Sequence, residues 1–295
     1  MNRRNFLRSS LGAAAGASLL PHASVAKDEP PLAREVGITT GSFVRHLTVE
    51  PAEGKLRLLD LPKRMREELD IRVIDLMTAT LASMQPDYLD KLRAAAERAG
   101  CILTNLKMNQ RGLDLASEDE ALRRRSLDEY KRTIDAAARL GCRWVRPLPG
   151  AQRPDFKVLA SSYRELIDHG AGKNITLLIE NYGWMQDDAD AIPAIIKAVG
   201  PGLRSQPDTR NWTDRARFDG LTKAFPFAAS CDFKPFPLEA DGSHLRYDLK
   251  RAFQIGWDAG FRGPWCLEHF HDELGQQFKE MALLRDRLRE WMRAG

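Results

Sequence analysis

The chain has few residues of the types that build redox and zinc sites. Its 295 residues include four cysteines and six histidines, and no two cysteines have C-x-x-C spacing. A structural zinc site or a thioredoxin-like redox motif is therefore not expected. We expect free, buried thiols, and Cys231 and Cys266 are the pair to check for a disulfide because they fall on neighbouring predicted strands.

A glycine-rich nucleotide motif is also missing. No G-x-G-x-x-G follows the first predicted strand, and no Pro/Gly-rich linker divides the chain near its middle. Both absences argue against a doubly wound dinucleotide-binding fold.

Excess positive charge is concentrated at the N-terminus. Residues 2–8 (NRRNFLR) form a twin-arginine pattern, followed by a small and apolar stretch at residues 9–20 and small residues at 24–26. This predicts a twin-arginine signal peptide over residues 1–26 and a linker over 27–35, and hence export to the periplasm or the outside. An uncleaved anchor or a disordered tail is the alternative, although residues 9–20 are too short and too rich in Gly and Ala for a membrane span.

Removal of this segment takes away three arginines and lowers the formal charge from +4 to +1. The pI of 8.9 therefore indicates no nucleic-acid partner, since binding would need a basic patch on the mature domain.

From Val36 onward, short apolar runs alternate with amphipathic runs eight times. The pattern predicts parallel strands with crossover helices, and eight units favour a single-domain (β/α)8 TIM barrel over residues 36–295. Gly100, Gly141 and Gly260 stand where helices should end in a left-handed cap. The predicted strands are 36–40, 72–77, 102–107, 143–148, 176–180, 203–208, 227–234 and 265–268, and the clearest helices are 86–99, 118–140, 249–259 and 274–293.

Several of the later strands end on acids. Glu180, Asp208 and Glu268 close three of them, and Asp232 with Lys234 closes the strand between the last two. The C-terminal ends of barrel strands meet at one mouth, where active sites of such barrels lie. Glu180 and Glu268 should face each other there, as an acid–base pair suited to moving a proton beside a carbonyl.

These strand ends resemble the motifs of a known family. Residues 180–183 (ENYG), 208–212 (DTRNW), 232–234 (DFK) and 263–268 (GPWCLE) are similar in order and spacing to the E-N-H, D-T-x-N, H-x-K and G-x-x-x-x-E motifs of the xylose isomerase-like sugar phosphate isomerase/epimerase family. The resemblance implies a barrel that binds one divalent metal through Glu180, Asp208, position 232 and Glu268. It also implies that the two glutamates act as acid and base on a sugar or polyol.

Two positions depart from that pattern. Asp232 stands where the family has its ligand histidine, and Tyr182 replaces the histidine after the E-N pair. Four carboxylates without an imidazole suit Mg²⁺ or Mn²⁺ better than Zn²⁺. Lys234 is the alternative source of balancing charge, with a metal or in its place.

Further polar and aromatic residues follow the strands at the mouth. Each could contact substrate. The alternative for Lys107 and Arg146 is that they neutralise the acids, and the alternative for the histidines is that they are ordinary surface residues. Trp184, like Trp212, could instead belong to the core. His244, in the excursion at residues 236–244, is also the best candidate for a replacement nitrogen ligand. The predicted substrate-binding residues are Lys234, Arg146, His244, Lys107, Trp184, Asn211 and His46.

The sequence therefore predicts an exported isomerase or epimerase of a small carbohydrate or polyol, with one divalent ion and possible oligomers. Proton abstraction followed by loss of a β-hydroxyl would make it a dehydratase on the same scaffold. The third possibility is a non-catalytic sugar-binding barrel whose metal site has degenerated at Asp232.

Overall fold

The structure is a computed structural model that describes residues 32–148, 150 and 152–295. Leu32–Gly295 forms one compact unit. The predicted signal peptide and most of the predicted linker lie outside the described residues, and their boundaries stay predictions. No helix among the described residues is long and apolar enough to cross a membrane.

Eight parallel strands form one curled sheet in the order β8-β7-β6-β5-β4-β1-β10-β9. The predicted (β/α)8 barrel is confirmed, with strands somewhat shorter than the apolar runs. The barrel strands are β1 (Val36–Thr39), β4 (Val73–Met77), β5 (Ile102–Met108), β6 (Trp144–Pro147), β7 (Thr176–Ile179), β8 (Leu203–Ser205), β9 (Cys231–Phe233) and β10 (Trp265–Leu267).

Helices cover the outside of the sheet. The predicted long helices are confirmed to within two residues at each end. The helices are α1 (Leu61–Leu69), α2 (Pro86–Arg98), α3 (Glu120–Leu140), α4 (Phe156–Ala171), α5 (Ala191–Val199), α6 (Arg217–Ala224), α7 (Leu249–Asp258) and α8 (Leu274–Ala294).

Local sequence signals explain where the helices begin and end. The Asp119 carboxylate accepts from the backbone N–H groups of Ala121 and Leu122 at the start of α3, and Gly141 ends that helix with φ 78°. Gly100 and Gly260 also have positive φ, as predicted. Two elements were not predicted from the sequence: the short strands β2 (Leu47–Thr48) and β3 (Leu56–Arg57), which pair with each other.

The barrel closes between β8 and β9 through two isolated bridges. Ser205 pairs with Ala228, and Asp208 pairs with Asp232. The Asp232 N–H donates to the Pro207 carbonyl at 2.9 Å, and the Thr209 N–H donates to the Asp232 carbonyl at 2.9 Å. Closure of the barrel therefore sets two of the predicted site acids side by side.

The four cysteines are all buried and free. Cys266 is paired in register with Asp232, and Cys231 with Trp265. The two thiols on neighbouring strands therefore do not face each other, and the pair that the sequence marked for a possible disulfide is not bonded.

Candidate active site

Four buried carboxylates lie at the C-terminal ends of consecutive barrel strands. Glu180 directly follows β7, Asp208 follows β8, Asp232 lies in β9 and Glu268 directly follows β10. All four side chains are buried. This is the mouth of the barrel, and the arrangement matches the register expected from the sequence.

Three of these acids form what we call the acidic cluster: Glu180, Asp208 and Asp232. One carboxylate oxygen from each lies within 4.8 Å of the others. Within the part of the chain that the structure describes, Glu180 Oε2, Asp208 Oδ2 and Asp232 Oδ2 are buried and have no hydrogen-bond donor. Buried carboxylate oxygens without hydrogen-bond donors are costly, so a cation would stabilise the cluster.

The backbone fixes Asp208 within the cluster. Its Oδ1 accepts from the N–H groups of Arg210 at 2.7 Å and Asn211 at 2.9 Å. The Asn181 side chain bonds the Asp208 backbone on both sides, at 2.8 Å to the N–H and 3.0 Å to the carbonyl. With Oδ1 satisfied, Oδ2 is left for the cluster.

Glu268 has a different environment. Because two lysines contact it, we call it the lysine-bound glutamate. Lys234 Nζ lies 2.6 Å from Glu268 Oε1, and Lys107 Nζ lies 3.5 Å from Glu268 Oε2. Each lysine also reaches the acidic cluster: Lys234 lies 3.3 Å from Asp208 Oδ2, and Lys107 lies 2.5 Å from Asp232 Oδ1. Both oxygens of Glu268 thus face ammonium groups, which differs from the expectation that Glu268 is a metal ligand.

Glu180 is held by two side chains from neighbouring strands. Asn211 donates to its Oε1 at 2.9 Å. Arg146 Nε lies 2.9 Å from Glu180 Oε2, an ion-pair distance without the alignment of a hydrogen bond. Arg146 also donates to Asn109 Oδ1 at 2.9 Å. The guanidinium therefore orients Glu180 while leaving Oε2 available to the cluster.

Burial and mutual repulsion raise the pKa values in the acidic cluster. Burial raises the pKa of Asp208 to about 6; Lys234 opposes the rise, and the nearby glutamates add to it. Burial also raises the pKa of Asp232 well above its usual range, against the opposing effect of Lys107. Both raised pKa values mean that a negative charge at these buried positions is disfavoured unless more positive charge is brought close.

The shift at Glu268 has the opposite sign. Burial alone would raise its pKa, but Lys234 and Lys107 outweigh that effect and the pKa falls to about 2. Burial would likewise lower the pKa of each lysine, yet the surrounding carboxylates raise it. Glu268 is therefore ionised at neutral pH and both lysines are charged.

Sequence reasoning missed a polar layer beneath the acids. Gln206 donates to Asp75 Oδ2 at 3.1 Å and to Asp232 Oδ1 at 3.2 Å. Asn105 donates to Gln206 Oε1 at 2.9 Å, and Thr104 donates to Asp75 Oδ1 at 2.5 Å. The signal was present: Asp75 and Asn105 are polar residues inside otherwise apolar strands, which a core seldom contains without a purpose.

A cavity of about 330 Å³ opens above these residues. It is lined by Glu180, Asn211, Lys234, Glu268, Asn109, Arg111, Arg146 and Tyr182, among others. Its size lies near the lower end of small-ligand pockets, roughly 300–1,000 Å³. Five predicted site side chains thus face one small space, those of Glu180, Glu268, Arg146, Lys234 and Asn211. Arg111, which also lines it, was not predicted.

Lys107 is fully buried and does not line this cavity. Its ammonium neutralises Asp232 and Glu268, which corresponds to the second of the two roles that the sequence allowed. Its predicted contact with substrate stays a prediction.

Three other predicted contact residues lie elsewhere. Both ring nitrogens of His244 are used inside its own loop, by the Phe236 N–H at 3.0 Å and the Tyr247 carbonyl at 2.9 Å. His46 is buried against the His271 carbonyl at 2.9 Å. Neither side chain lines the cavity. The structure shows His244 holding its own loop, and the predicted ligand or substrate contacts of the two histidines stay predictions.

Trp184 packs against Phe156 with ring centroids 5.8 Å apart, and Arg153 lies 5.1 Å from its ring centroid. It does not line the cavity, and its predicted sugar-stacking role stays a prediction. Trp212 is buried in the core.

The donor set at the mouth suits a divalent ion. Five buried carboxylates, those of Asp75 and the four strand-end acids, face three cations, Lys107, Arg146 and Lys234. The acids outnumber the cations, and the three cluster oxygens without a hydrogen-bond donor fit one divalent cation with oxygen ligands.

Comparison with known proteins agrees with this architecture. The structure resembles D-psicose 3-epimerase with D-tagatose from Clostridium cellulolyticum H10 (13% identity, TM-score 0.67, covering 88% of this chain and 98% of that one). It also resembles a xylose isomerase-like TIM barrel protein from Mycobacterium smegmatis in complex with magnesium (17% identity, TM-score 0.62, covering 88% of this chain and 96% of that one). A third similar structure is that of the probable 3-DHS dehydratase AsbF from Bacillus anthracis (12% identity, TM-score 0.61, covering 88% of this chain and 97% of that one).

At these identities the structural matches show the fold. No curated protein matches the sequence significantly. The family described as xylose isomerase-like TIM barrel matches residues 67–294, more than three quarters of the chain. The chain belongs to the xylose isomerase-like TIM barrel family.

Proposed function

We propose that this protein is an exported isomerase or epimerase of a small carbohydrate or polyol, assisted by a divalent ion, with Glu180 and Glu268 as the proton-transferring pair. The observation that carries the proposal is the acidic cluster. Glu180, Asp208 and Asp232 each bring a carboxylate oxygen within 4.8 Å of the others, each has a buried oxygen without a hydrogen-bond donor, and the ionised Glu268 lies beside them. Mg²⁺ or Mn²⁺ fits these oxygen ligands better than Zn²⁺ does.

Glu180, Asp208 and Asp232 would hold the ion. When bound, such an ion supplies Lewis-acid polarisation of a substrate carbonyl or hydroxyl oxygen. The residues that hold the substrate itself face the cavity, where Asn211 and Arg146 fix the orientation of Glu180.

Lys234 and Glu268 together provide a route for the proton. A carboxylate whose pKa is about 2 is a weak base as long as Lys234 stays at 2.6 Å. A substrate oxyanion that draws the Lys234 ammonium toward itself weakens that ion pair and raises the pKa of Glu268 as the proton arrives. Lys234 then stabilises the enediolate-like charge that develops.

Glu180 lines the same cavity as Glu268 and, in its protonated form, would return a proton to the substrate. It follows β7 and Glu268 follows β10, so the two carboxyl groups approach a bound substrate from different parts of the mouth. Return to the opposite face of the same carbon gives an epimer, and return to the neighbouring carbon gives an isomer.

Solvent exchange tests the proposed chemistry. Candidate ketoses and aldoses are incubated in D₂O with Mg²⁺ or Mn²⁺, and deuterium at carbon is followed by NMR. Exchange at a carbon beside the carbonyl, lost in Glu268→Gln, is expected. Exchange that leads only to a dehydrated product would support the dehydratase. Sugar binding without exchange would support the non-catalytic sugar-binding barrel.

Metal analysis tests the ion separately. Protein purified without chelator is expected to carry one divalent ion per chain, and Asp208→Asn is expected to lose it. Asp258→Asn, an exposed acid in α7, is the matched control. A metal-free protein with full exchange activity would refute the metal and leave Lys234 as the balancing charge.

Export is part of the proposal and rests on the twin-arginine pattern at residues 2–8. Fractionation of cells that produce the full chain should recover it outside the cytoplasm. Replacement of Arg3 and Arg4 by lysine should retain it inside, and an unchanged distribution would contradict this route.

A further inference from the structure

The three acids of the acidic cluster share one pattern of contacts. Each is held through one carboxylate oxygen, and its other oxygen has no hydrogen-bond donor among the described residues. Asp208 Oδ1 accepts from two backbone N–H groups, and Glu180 Oε1 accepts from a neighbouring amide. On Asp232, Lys107 and Gln206 both donate to Oδ1, at 2.5 and 3.2 Å. The donors on the held oxygen therefore decide which oxygen each acid leaves free for a cation.

The two donors on Asp232 Oδ1 have different properties. Lys107 carries an ammonium group on a flexible stem, which acts as a point charge with rotatable donors. The same ammonium lies 3.5 Å from Glu268 Oε2, so two acids share its charge. Lys107 therefore neutralises Asp232 without fixing the plane of its carboxylate.

The amide of Gln206, by contrast, is held at both of its ends. This side chain directly follows β8 and is fully buried. Its Oε1 accepts from Asn105 at 2.9 Å, and its Nε2 donates to Asp75 Oδ2 at 3.1 Å as well as to Asp232. Thr104 in turn donates to Asp75 Oδ1. Because an amide is planar and both ends are engaged, its N–H donor meets Asp232 Oδ1 in a fixed direction.

We propose that Gln206 is a positioning residue for the divalent ion: it holds Asp232 through Oδ1 and so keeps Oδ2 available to a cation in the acidic cluster. Gln206 is not itself a ligand in this arrangement, since its Oε1 is occupied by Asn105. The inference rests on the proposed function, because it requires that the cluster binds an ion. Loss of a hydrogen bond that orients a metal ligand typically weakens metal binding by roughly 10- to 100-fold.

Titration with Mn²⁺ tests the proposal without a substrate. Mn²⁺ is added to the purified full chain, and the unbound ion is counted by electron paramagnetic resonance. Gln206→Met keeps the length of the side chain and removes its donor and acceptor, and it should raise the Kd for Mn²⁺ by about 10- to 100-fold. The variant should still fold, because Asp232 keeps Lys107 and Asp75 keeps Thr104 as a donor.

A second buried glutamine provides the matched control. Gln277 in α8 is also fully buried, donates to the Ser42 carbonyl at 2.7 Å and accepts from the His271 N–H at 3.2 Å, away from the acidic cluster. Gln277→Met should lower stability in urea to a similar extent as Gln206→Met but leave the Kd for Mn²⁺ unchanged. An equal loss of Mn²⁺ affinity in both variants would reflect general destabilisation and would overturn the proposal.

A double-mutant cycle tests whether Gln206 acts through Asp232. In an Asp232→Asn background, which weakens Mn²⁺ binding by itself, Gln206→Met should have little further effect on the Kd. Additive losses would mean that Gln206 affects the ion by another route, and the proposal would be wrong. If Gln206→Met does not fold, Asn105→Ala takes its place: it frees the amide carbonyl of Gln206 and should weaken Mn²⁺ binding several-fold, and an unchanged Kd would refute the proposal.

The outcomes for wild type and variant separate this inference from the proposed function. Wild type that binds Mn²⁺ no more tightly than Gln206→Met does would refute the role of Gln206 and leave the metal site standing. Wild type that binds no divalent ion would refute the metal assistance in the proposed function, and the positioning role would fall with it.

Discussion

The acidic cluster and the lysine-bound glutamate lie at the same barrel mouth but are balanced in different ways. Glu180, Asp208 and Asp232 bring together three oxygens that lack hydrogen-bond donors. Glu268 has an ammonium group at each oxygen. Four strand-end acids that look equivalent in sequence therefore divide into a cluster of three and one glutamate held by two lysines.

The largest expected effect separates the two glutamates. Glu268→Gln should lower exchange in D₂O by about 1,000-fold, within the range for loss of a general acid or base, yet leave the metal content unchanged. Glu180→Gln should lower both the exchange rate and the metal content. The reason is that only Glu180 contributes an unpaired oxygen to the acidic cluster.

Exchange rates and metal stoichiometry measured on the same preparations check this prediction. Glutamine keeps the size of the side chain, and circular dichroism controls for folding. If Glu268→Gln loses its metal as fully as Glu180→Gln does, Glu268 is a ligand and the division of the mouth into two regions is wrong.

The next effect concerns the buried lysine that joins the two regions. Lys107→Met should destabilise the protein by about 3–5 kcal/mol, because Asp232 and Glu268 lose a buried partner. Asp232→Asn in the same chain should recover part of the loss by removing one unpaired charge. Urea unfolding measures both changes.

A surface lysine provides the control. Lys63→Met removes an exposed pair with Glu67 and should cost less than about 1 kcal/mol. If Lys107→Met costs no more than Lys63→Met, the buried pair contributes little and Asp232 takes up a proton instead.

A third effect is a pH dependence that belongs to the acidic cluster. Burial raises the pKa of Asp208 from its usual 3.8 to about 6, so the folded state binds a proton that the unfolded state releases. Stability of the metal-free protein should therefore fall as pH rises from about 4 to about 6, by on the order of 2–3 kcal/mol from this group. Glu268 has the opposite sign, since its pKa of about 2 adds stability above roughly pH 4.

The difference in the free energy of unfolding between wild type and Asp208→Asn isolates the contribution of the Asp208 carboxyl group. Asparagine keeps the oxygen that accepts from the Arg210 and Asn211 N–H groups. Wild type should be more stable relative to the variant at pH 4 than at pH 7, measured by urea unfolding in the presence of chelator. A constant difference across this range would show that Asp208 is ionised throughout.

The fold and the positions of the acids could be predicted because both depend on local periodicity. Alternating apolar and amphipathic runs specify strand and helix, and register places Glu180 and Glu268 at the mouth. What each side chain contacts could not be predicted, since it depends on residues distant in sequence. The Lys107 contact with Asp232 spans 125 residues, and whether His244 faces the cavity depends on how its loop packs on Tyr247.

The smallest expected effect sets the baseline for both regions, because it concerns a residue that belongs to neither. Trp184→Phe should change kcat/KM for exchange by less than about twofold and lower stability by about 1–2 kcal/mol, since the indole packs beside Phe156 outside the cavity. Its buried Nε1 has no hydrogen-bond acceptor among the described residues, so phenylalanine leaves no new unpaired group. Tyr182→Ala is the matched comparison, because Tyr182 lines the cavity and its loss should raise KM several-fold. A KM that rises tenfold in Trp184→Phe would place the indole against the substrate, and the cavity would then extend beyond the walls formed by the glutamates and Arg111.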